Sequence, residues 1–144
     1  MRVADVLRTK GSEVASVPPQ VSVTGLLEDL ARYNVGALVV VDEKGTLVGI
    51  VSERDVVRRL DERGAELLTV PVSEIMTSPV VTCEPGDGID GLAQTMTERR
   101  MRHMPVLEDG RLVGIVSIGD IVKSRIEQLE SDREQLESYI AQGS

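Results

Sequence analysis

The sequence is poor in aromatic residues, with no Phe, no Trp and only two Tyr among 144 residues. Its 41% apolar content is therefore built from aliphatic side chains, and it is enough for the core of one ordinary domain or of two small domains that share a core. The abundance of Val favours β-strands. A base bound by this chain would have to lie between aliphatic side chains, because almost no aromatic surface exists on which it could stack.

Cysteine and histidine are equally scarce. The single cysteine, Cys83, excludes an intramolecular disulfide, and the single histidine, His103, cannot complete the Cys/His set of a structural zinc site. Cys83 stands in an extended apolar segment, where a buried, inert thiol is favoured over a nucleophile. His103 has no obvious relay partner, so we expect no metal site and no enzymatic activity.

Basic residues and long apolar runs are also lacking. The 16 Lys and Arg stand against 24 Asp and Glu, and the net charge of -8 disfavours nucleic acid as a partner. No run approaches the roughly 20 apolar residues that a bilayer span requires, and the first five residues lack the apolar region of a signal peptide. We therefore expect a soluble, cytoplasmic protein that has no membrane partner.

What the sequence does contain is an internal repeat. Residues 45–57 align with residues 110–122, and both segments contain Leu-Val-Gly-Ile-Val-Ser followed two residues later by Asp. Upstream, residues 23–43 align with residues 89–109, and residues 3–7 align with residues 72–76. The repeat unit covers nearly the whole chain as far as residue 126, which predicts two copies of one structural unit.

Each copy has the same succession of patterns. After a short helical start comes a Val-rich extended piece, then an amphipathic helix over residues 23–33 or 89–99, then two strands and a further helix. Residues 37–41 and 46–51 predict a hairpin in the first copy, and Ser22 or Thr24 can cap the helix before it. This order predicts an α/β (α+β) fold of tandem β-α-β-β-α repeats.

A three-stranded unit of this size is marginal alone, so we expect the two copies to pack sheet to sheet with pseudo-twofold symmetry. The predicted domains are repeat 1 over residues 1–62, a linker over 63–71, repeat 2 over 72–126, and a C-terminal helical extension over 127–144. In the extension, apolar residues recur at spacings of four and three, interrupted by Arg133. This stripe is typical of a coiled coil in a homodimer, or of a helix folded back on its own domain.

Ser52 and Asp55 stand three residues apart where a strand gives way to a helix, and Ser117 and Asp120 do the same in the second copy. One interpretation is structural: the Ser caps the helix and the Asp lies favourably near its positive end. The other is functional: the free N–H groups and the Ser hydroxyl hold a phosphate, while the Asp accepts hydrogen bonds from a ribose. A single occurrence favours the cap, and the repetition raises the weight of the second interpretation.

The repeated segment resembles the signature of the CBS family, named for cystathionine β-synthase, in which Gly, two apolar residues and Ser or Thr are followed by two residues and Asp. The pair of copies is similar to a Bateman module. The resemblance covers about residues 1–126 and implies that AMP, ADP, ATP, NAD(H) or S-adenosylmethionine binds in clefts between the two repeats.

By this resemblance, Asp55 and Asp120 hold ribose hydroxyls. The phosphate candidates are Ser52 and Ser117 with the basic residues Arg102, His103, Arg54 and Lys10, and the adenine-pocket candidates are Val14, Ala15, Val80, Val81, Ile50, Ile115 and Pro105.

The first copy has Gly36-Ala37 where the second has Arg102-His103, so the two sites should be unequal, with Arg54 or Lys10 supplying charge to the first.

The sequence therefore predicts a non-catalytic regulatory module that binds an adenine nucleotide, senses energy or redox state, and acts in trans on an unidentified protein effector. A ligand that prefers one arrangement of the repeats or subunits would carry the signal. The alternative is a structural dimerisation or scaffold protein whose nucleotide sites are vestigial.

Overall fold

The computed structural model describes residues 1–143, which form two compact units. One unit is continuous and contains residues 13–81. The other joins residues 1–12 to the described residues from 82 onward. The chain therefore contributes its first helix to the same unit as its last.

The elements follow the predicted order in the first copy, and in the second copy they do so except for the strand before its first α-helix. The helices are α1 (Val3–Lys10), α2 (Val23–Tyr33), α3 (Glu53–Arg63), α4 (Ile89–Glu98) and α5 (Ile118–Gly143), and the strands are β1 (Ser16–Val17), β2 (Ala37–Val41), β3 (Leu47–Ser52), β4 (His103–Glu108) and β5 (Arg111–Ser117). The predicted α/β class and the long C-terminal helix are confirmed.

In the unit of residues 13–81, the three strands form one sheet in the order β1-β2-β3. Strand β1 pairs parallel with β2, and β2 pairs antiparallel with β3. Helix α2 begins at the Ser22 cap, whose hydroxyl accepts a hydrogen bond from the Gly25 amide at 3.2 Å, as Ser at this position favours. Its apolar face buries Val23, Leu26 and Leu30 against the sheet, which closes an aliphatic core.

The segment predicted as a linker packs into this same core. Helix α3 continues to Arg63, and a 3₁₀ helix follows over Gly64–Thr69. Leu67 is completely buried and Val70 nearly so, and both belong to the core cluster. Burial of these side chains fixes the connection to the sheet, because each fully buried aliphatic side chain contributes about 1.5–3 kcal/mol.

In the other unit, β4 and β5 form an antiparallel hairpin. The extended piece that precedes α4 makes only an isolated parallel bridge, between Cys83 and Val106. The second copy therefore lacks the full strand that β1 supplies in the first. Helix α4 spans Ile89–Glu98, within one residue of the prediction.

The first segment of each copy packs on the hairpin of the other copy. In one unit, Leu7 of α1 lies so close to Gly114 of β5 that a Cβ on the glycine would come within 2.7 Å of the leucine Cδ2. In the other unit, Met76, which aligns with Leu7 in the repeat, lies closer still to Gly49 of β3, where an added Cβ would overlap the methionine Sδ. A Cβ on the glycine of the repeated Leu-Val-Gly-Ile-Val-Ser segment would therefore overlap the side chain packed on it, and that side chain would have to move.

Helix α5 has a partly buried start and an exposed extension. Ile121 and Ser124 are buried, whereas the predicted apolar stripe is uncovered. Its apolar members are between 51% and 62% exposed: Val122, Ile126, Leu129, Leu136 and Ile140. The helix is therefore not folded back on its own chain along this stripe.

Candidate functional site

The strand-to-helix junction of the first copy is closed by Ser52 and Asp55. Ser52 ends β3 and is the N-cap of α3, and its hydroxyl oxygen accepts a hydrogen bond from the Asp55 amide at 3.3 Å. In return, the Asp55 carboxylate accepts hydrogen bonds from the Ser52 amide at 2.8 Å and from the Ser52 hydroxyl at 3.0 Å. This reciprocal arrangement is a capping box, so the structural interpretation of the Ser–Asp pair is present in the fold.

The second junction repeats this geometry. The Ser117 oxygen accepts from the Asp120 amide at 3.1 Å, and Asp120 Oδ2 accepts from the Ser117 amide at 2.8 Å. Both pairs are half-buried at the end of a strand. On each carboxylate these hydrogen bonds end on Oδ2.

Lys10 distinguishes the second junction from the first. From the last turn of α1, its Nζ lies 2.6 Å from Asp120 Oδ2 and donates a hydrogen bond to the Ile115 carbonyl at 2.8 Å. From the sequence, we expect either Arg54 or Lys10 to supply charge to the first copy. The structure instead places Lys10 on the second copy's Asp, a contact between residues 110 positions apart that no local pattern could reveal.

The pairing changes the acidity of Asp120. Partial burial by itself would raise the pKa of this carboxyl, but the hydrogen bonds from Lys10 and from Ser117, together with the lysine's charge, outweigh it and leave the pKa below its ordinary value of 3.8. Asp120 therefore retains its negative charge, and Lys10 compensates for it.

Arg102 and His103 lie at the same end of the hairpin as this cluster. His103 starts β4 and stands opposite Ser117 in the strand register, and the Arg102 carbonyl accepts a hydrogen bond from the Ile118 amide at 2.8 Å. In the first copy, Ala37 stands opposite Ser52, and the Gly36 carbonyl accepts from the Glu53 amide at 3.0 Å. The backbone is therefore the same in both copies, and the basic side chains occur in only one.

The adenine-pocket candidates of the first copy lie together. Val14 and Ala15 are half-buried residues immediately before β1, and Ala15 packs against the core. Because β1 runs parallel to β2, this segment lies at the end of the sheet where β2 begins and β3 stops. Ile50 is close to the same end, two residues before Ser52 on β3. Arg54 is exposed in the first turn of α3.

The candidates of the second copy are divided between the two units. Pro105 and Ile115 are cross-strand neighbours in the β4–β5 hairpin, in the unit that contains Asp120. Val80 and Val81 belong to the other unit. Their assignment to an adenine pocket stays a prediction.

The described part of the chain has no cluster of three or more His, Cys, Asp or Glu residues that could hold a metal ion. Within the same residues, no helix is long and apolar enough to cross a bilayer.

Comparison of the sequence with known protein families finds the same two copies as the internal repeat. The sequence model of the CBS domain matches this chain twice, over residues 3–62 and 72–127. The chain belongs to the CBS domain family. Each match contains one Ser–Asp junction, so the family signature coincides with the capping boxes described above.

Individual relatives extend over most of the chain. A mitochondrial CBS domain-containing protein of Arabidopsis thaliana, CBSX3, is 32% identical over 98% of this chain and 72% of its own length. The crystal structure of the CBS-domain protein ATU1752 from Agrobacterium tumefaciens superposes with a TM-score of 0.85 at 44% identity, covering 87% of this chain and 99% of that one.

A third CBS domain pair, that of protein MJ0100, was solved in complex with 5′-methylthioadenosine and S-adenosyl-L-methionine. It matches with a TM-score of 0.79 at 28% identity, over 89% of this chain and 98% of that one. At least one structurally similar CBS pair therefore binds adenosine-containing ligands.

Proposed function

We propose that this CBS pair is a non-catalytic regulatory module that binds an adenosine-containing ligand, such as AMP, ADP, ATP or NAD(H), at the Ser52–Asp55 and Ser117–Asp120 junctions. The observation that carries the proposal is the Ser–Asp junction, built twice with the same backbone geometry at the end of a buried strand. The adenosine ligands of the similar MJ0100 pair support it. None of the relatives named above has an enzyme's name.

The chemistry of each junction fits a nucleoside. Because the internal hydrogen bonds of Asp55 and Asp120 end on Oδ2, we expect Oδ1 to accept the ribose hydroxyls. Hydrogen bonds to a charged acceptor are the stronger kind. The first-turn amides of α3 and α5, at the positive ends of the helix dipoles, favour any phosphate that the ligand carries.

The ligand would act by population shift. A ligand that binds one arrangement of the protein more tightly than another favours that arrangement by the difference in its binding free energies. We propose that a protein effector responds to this change in trans, in the cytoplasm, and that the ligand reports energy or redox state.

We also propose that the protein is a homodimer joined along α5. The exposed stripe of this helix has the four-and-three spacing of a coiled coil. Most helical stability in proteins comes from packing of an apolar face, which the stripe of a second copy would supply.

The proposal is tested by thermal shift and titration calorimetry with AMP, ATP, NAD and S-adenosylmethionine. A ligand at 100 times its Kd stabilises the native state by about 2.7 kcal/mol, which should raise Tm by several degrees. Asp55→Ala and Asp120→Ala should each remove one binding site from the titration. Because the substitutions also break a capping box, Asp55→Asn and Asp120→Asn serve as second variants that keep the side-chain shape.

A titration in which both Ala variants bind exactly as the wild type does would refute the ribose assignment. If no adenine ligand shifts Tm, the alternative of a structural dimer with vestigial sites is supported. The uncovered stripe of α5 is the observation that favours that alternative.

A further inference from the structure

The two junctions share a backbone but differ in charge. In the first turn of α3, Glu53 and Asp55 carry two negative charges and Arg54 carries one positive charge. In the first turn of α5, Ile118 and Gly119 replace Glu53 and Arg54, which leaves Asp120 as the one charged side chain of that turn. Before any other element is considered, each first turn therefore has an excess of one negative charge.

Lys10 removes that excess at the second junction. Its ammonium donates hydrogen bonds to two acceptors, Asp120 Oδ2 and the Ile115 carbonyl, and these two bonds fix its position. The second copy has only Thr77-Ser78-Pro79 where the first copy has residues 8–13, so this segment contains no basic residue that could reach the first junction. Asp55 forms no ion pair with any residue that the structure describes.

Arg102 adds a further difference of the same sign. It stands immediately before β4, and its backbone is bonded to the first residue of α5, whereas the first copy has Gly36 at this position. Lys10 therefore neutralises the second junction, and the exposed Arg102 adds a positive charge at the residue before its strand. The first junction keeps its excess of one negative charge, so the two differ by at least one unit charge.

We infer that the two sites select adenosine ligands by the charge of the 5′ group. The Asp120 site takes ligands with an anionic 5′ phosphate, and the Asp55 site takes ligands whose 5′ group is uncharged or cationic. Lys10 is the residue that determines this specificity. The inference rests on the proposed function, since it names the ligand class of each proposed site.

The physical reason is that both ribose-binding carboxylates must accept the same sugar, so that the sugar contact cannot distinguish ligands. A dianionic phosphate beside Asp55 meets an uncompensated carboxylate, whereas beside Asp120 it meets a carboxylate that Lys10 already neutralises. The 5′ phosphate lies across the sugar from the diol that the carboxylate binds, so it interacts with the charge of the junction over several ångströms, which in a partly exposed setting changes affinity by about an order of magnitude. We therefore expect the ratio of AMP affinity to 5′-methylthioadenosine affinity to be at least about tenfold higher at the Asp120 site.

The experiment is titration calorimetry of AMP, 5′-methylthioadenosine and S-adenosylmethionine into Asp55→Ala, which keeps the Asp120 site, and into Asp120→Ala, which keeps the Asp55 site. In the Asp55→Ala background, Lys10→Met should lower the ratio of AMP affinity to 5′-methylthioadenosine affinity about tenfold. The matched control is Arg8→Met, which removes a cation from the same helix, where Arg8 pairs with Asp5. It should leave both affinities unchanged.

The outcomes are distinguishable. Equal ratios of AMP to 5′-methylthioadenosine affinity at the two sites would overturn the inference and leave the proposed function standing. An increase in AMP affinity on Lys10→Met would also overturn it, because Lys10 would then compete with the ligand for the carboxylate. Absence of binding to the wild type by these three compounds and also by ADP, ATP and NAD(H) would refute the proposed function itself.

Discussion

Asp55 and Asp120 close the same capping box at the start of α3 and of α5, but only Asp120 also meets a lysine. Their local sequences are nearly identical, so a short motif cannot predict the electrostatic state of either carboxylate. That state depends on α1, which comes from more than 100 residues away in the chain. At the scale of single residues, the two copies are therefore related in backbone and distinct in chemistry.

The lowered pKa of Asp120 predicts a specific dependence of stability on pH. A folded-state pKa below the unfolded value means that ionised Asp120 stabilises the fold above about pH 4, and that this contribution is lost as pH falls through the folded-state pKa. Between about pH 5 and pH 3, urea unfolding should show a larger loss of stability for the wild type than for Asp120→Asn. Lys10→Met should likewise lose less stability than the wild type over this pH range. Parallel pH profiles for all three proteins would contradict the role of this pair.

Cys83 is predicted to be unreactive in the native protein. Burial, with a smaller effect from the Asp87 carboxylate, raises the pKa of its thiol to about 12, and its Sγ lies 3.7 Å from the Pro105 carbonyl. At neutral pH the thiol is therefore protonated and shielded, and labelling by Ellman's reagent should be at least about 100-fold slower in the native state than in urea. Equal labelling rates in the two states would show that the segment around Cys83 is open.

The elements with strong local patterns were predictable, and those that depend on tertiary contacts were not. The amphipathic period of residues 23–33 predicts α2 at its observed bounds, and the continuous apolar run predicts β2. The Val-rich piece of the second copy has a similar pattern to that of β1 but forms only the Cys83–Val106 bridge. Strand pairing is decided by the partner's position, which a local sequence does not encode.

At the element scale, the close contact between α1 and β5 predicts the effect of a single methyl group. Gly114→Ala would place a Cβ within 2.7 Å of Leu7 Cδ2, so we expect a loss of about 1–3 kcal/mol in unfolding free energy, measured by urea denaturation. Gly91→Ala is the matched control, because no atom lies within 4 Å of the added Cβ in α4. It should be neutral or stabilising.

A double-mutant cycle with Leu7→Ala tests whether the cost of Gly114→Ala comes from the contact with Leu7. Shortening Leu7 should reduce the cost of Gly114→Ala, giving a coupling energy of about 0.5–3 kcal/mol. Strict additivity of the two substitutions would mean that the glycine is required for some other reason.

At the scale of the whole molecule, α5 predicts the oligomeric state. Light scattering should find a dimer for the wild type and a monomer after truncation following Arg125, because the truncation removes most of the exposed stripe. Leu136→Glu should weaken the dimer, whereas Ser138→Glu adds the same charge on the opposite side of the helix and should leave it intact. A truncated protein that stays dimeric would place the interface elsewhere.

The composition of the two compact units has a consequence for how the chain can be divided. A cut at the boundary between the sequence repeats would leave a fragment that contains α1 without the β5 strand it packs on, and β3 without Met76. Neither half would possess its own complete unit, so the fold cannot be reduced to one repeat by truncation. A circular permutant that begins at Glu13, with a linker from the old C-terminus to Met1, would make both units continuous for the first time. The natural chain order instead makes each unit depend on residues from both copies of the duplication.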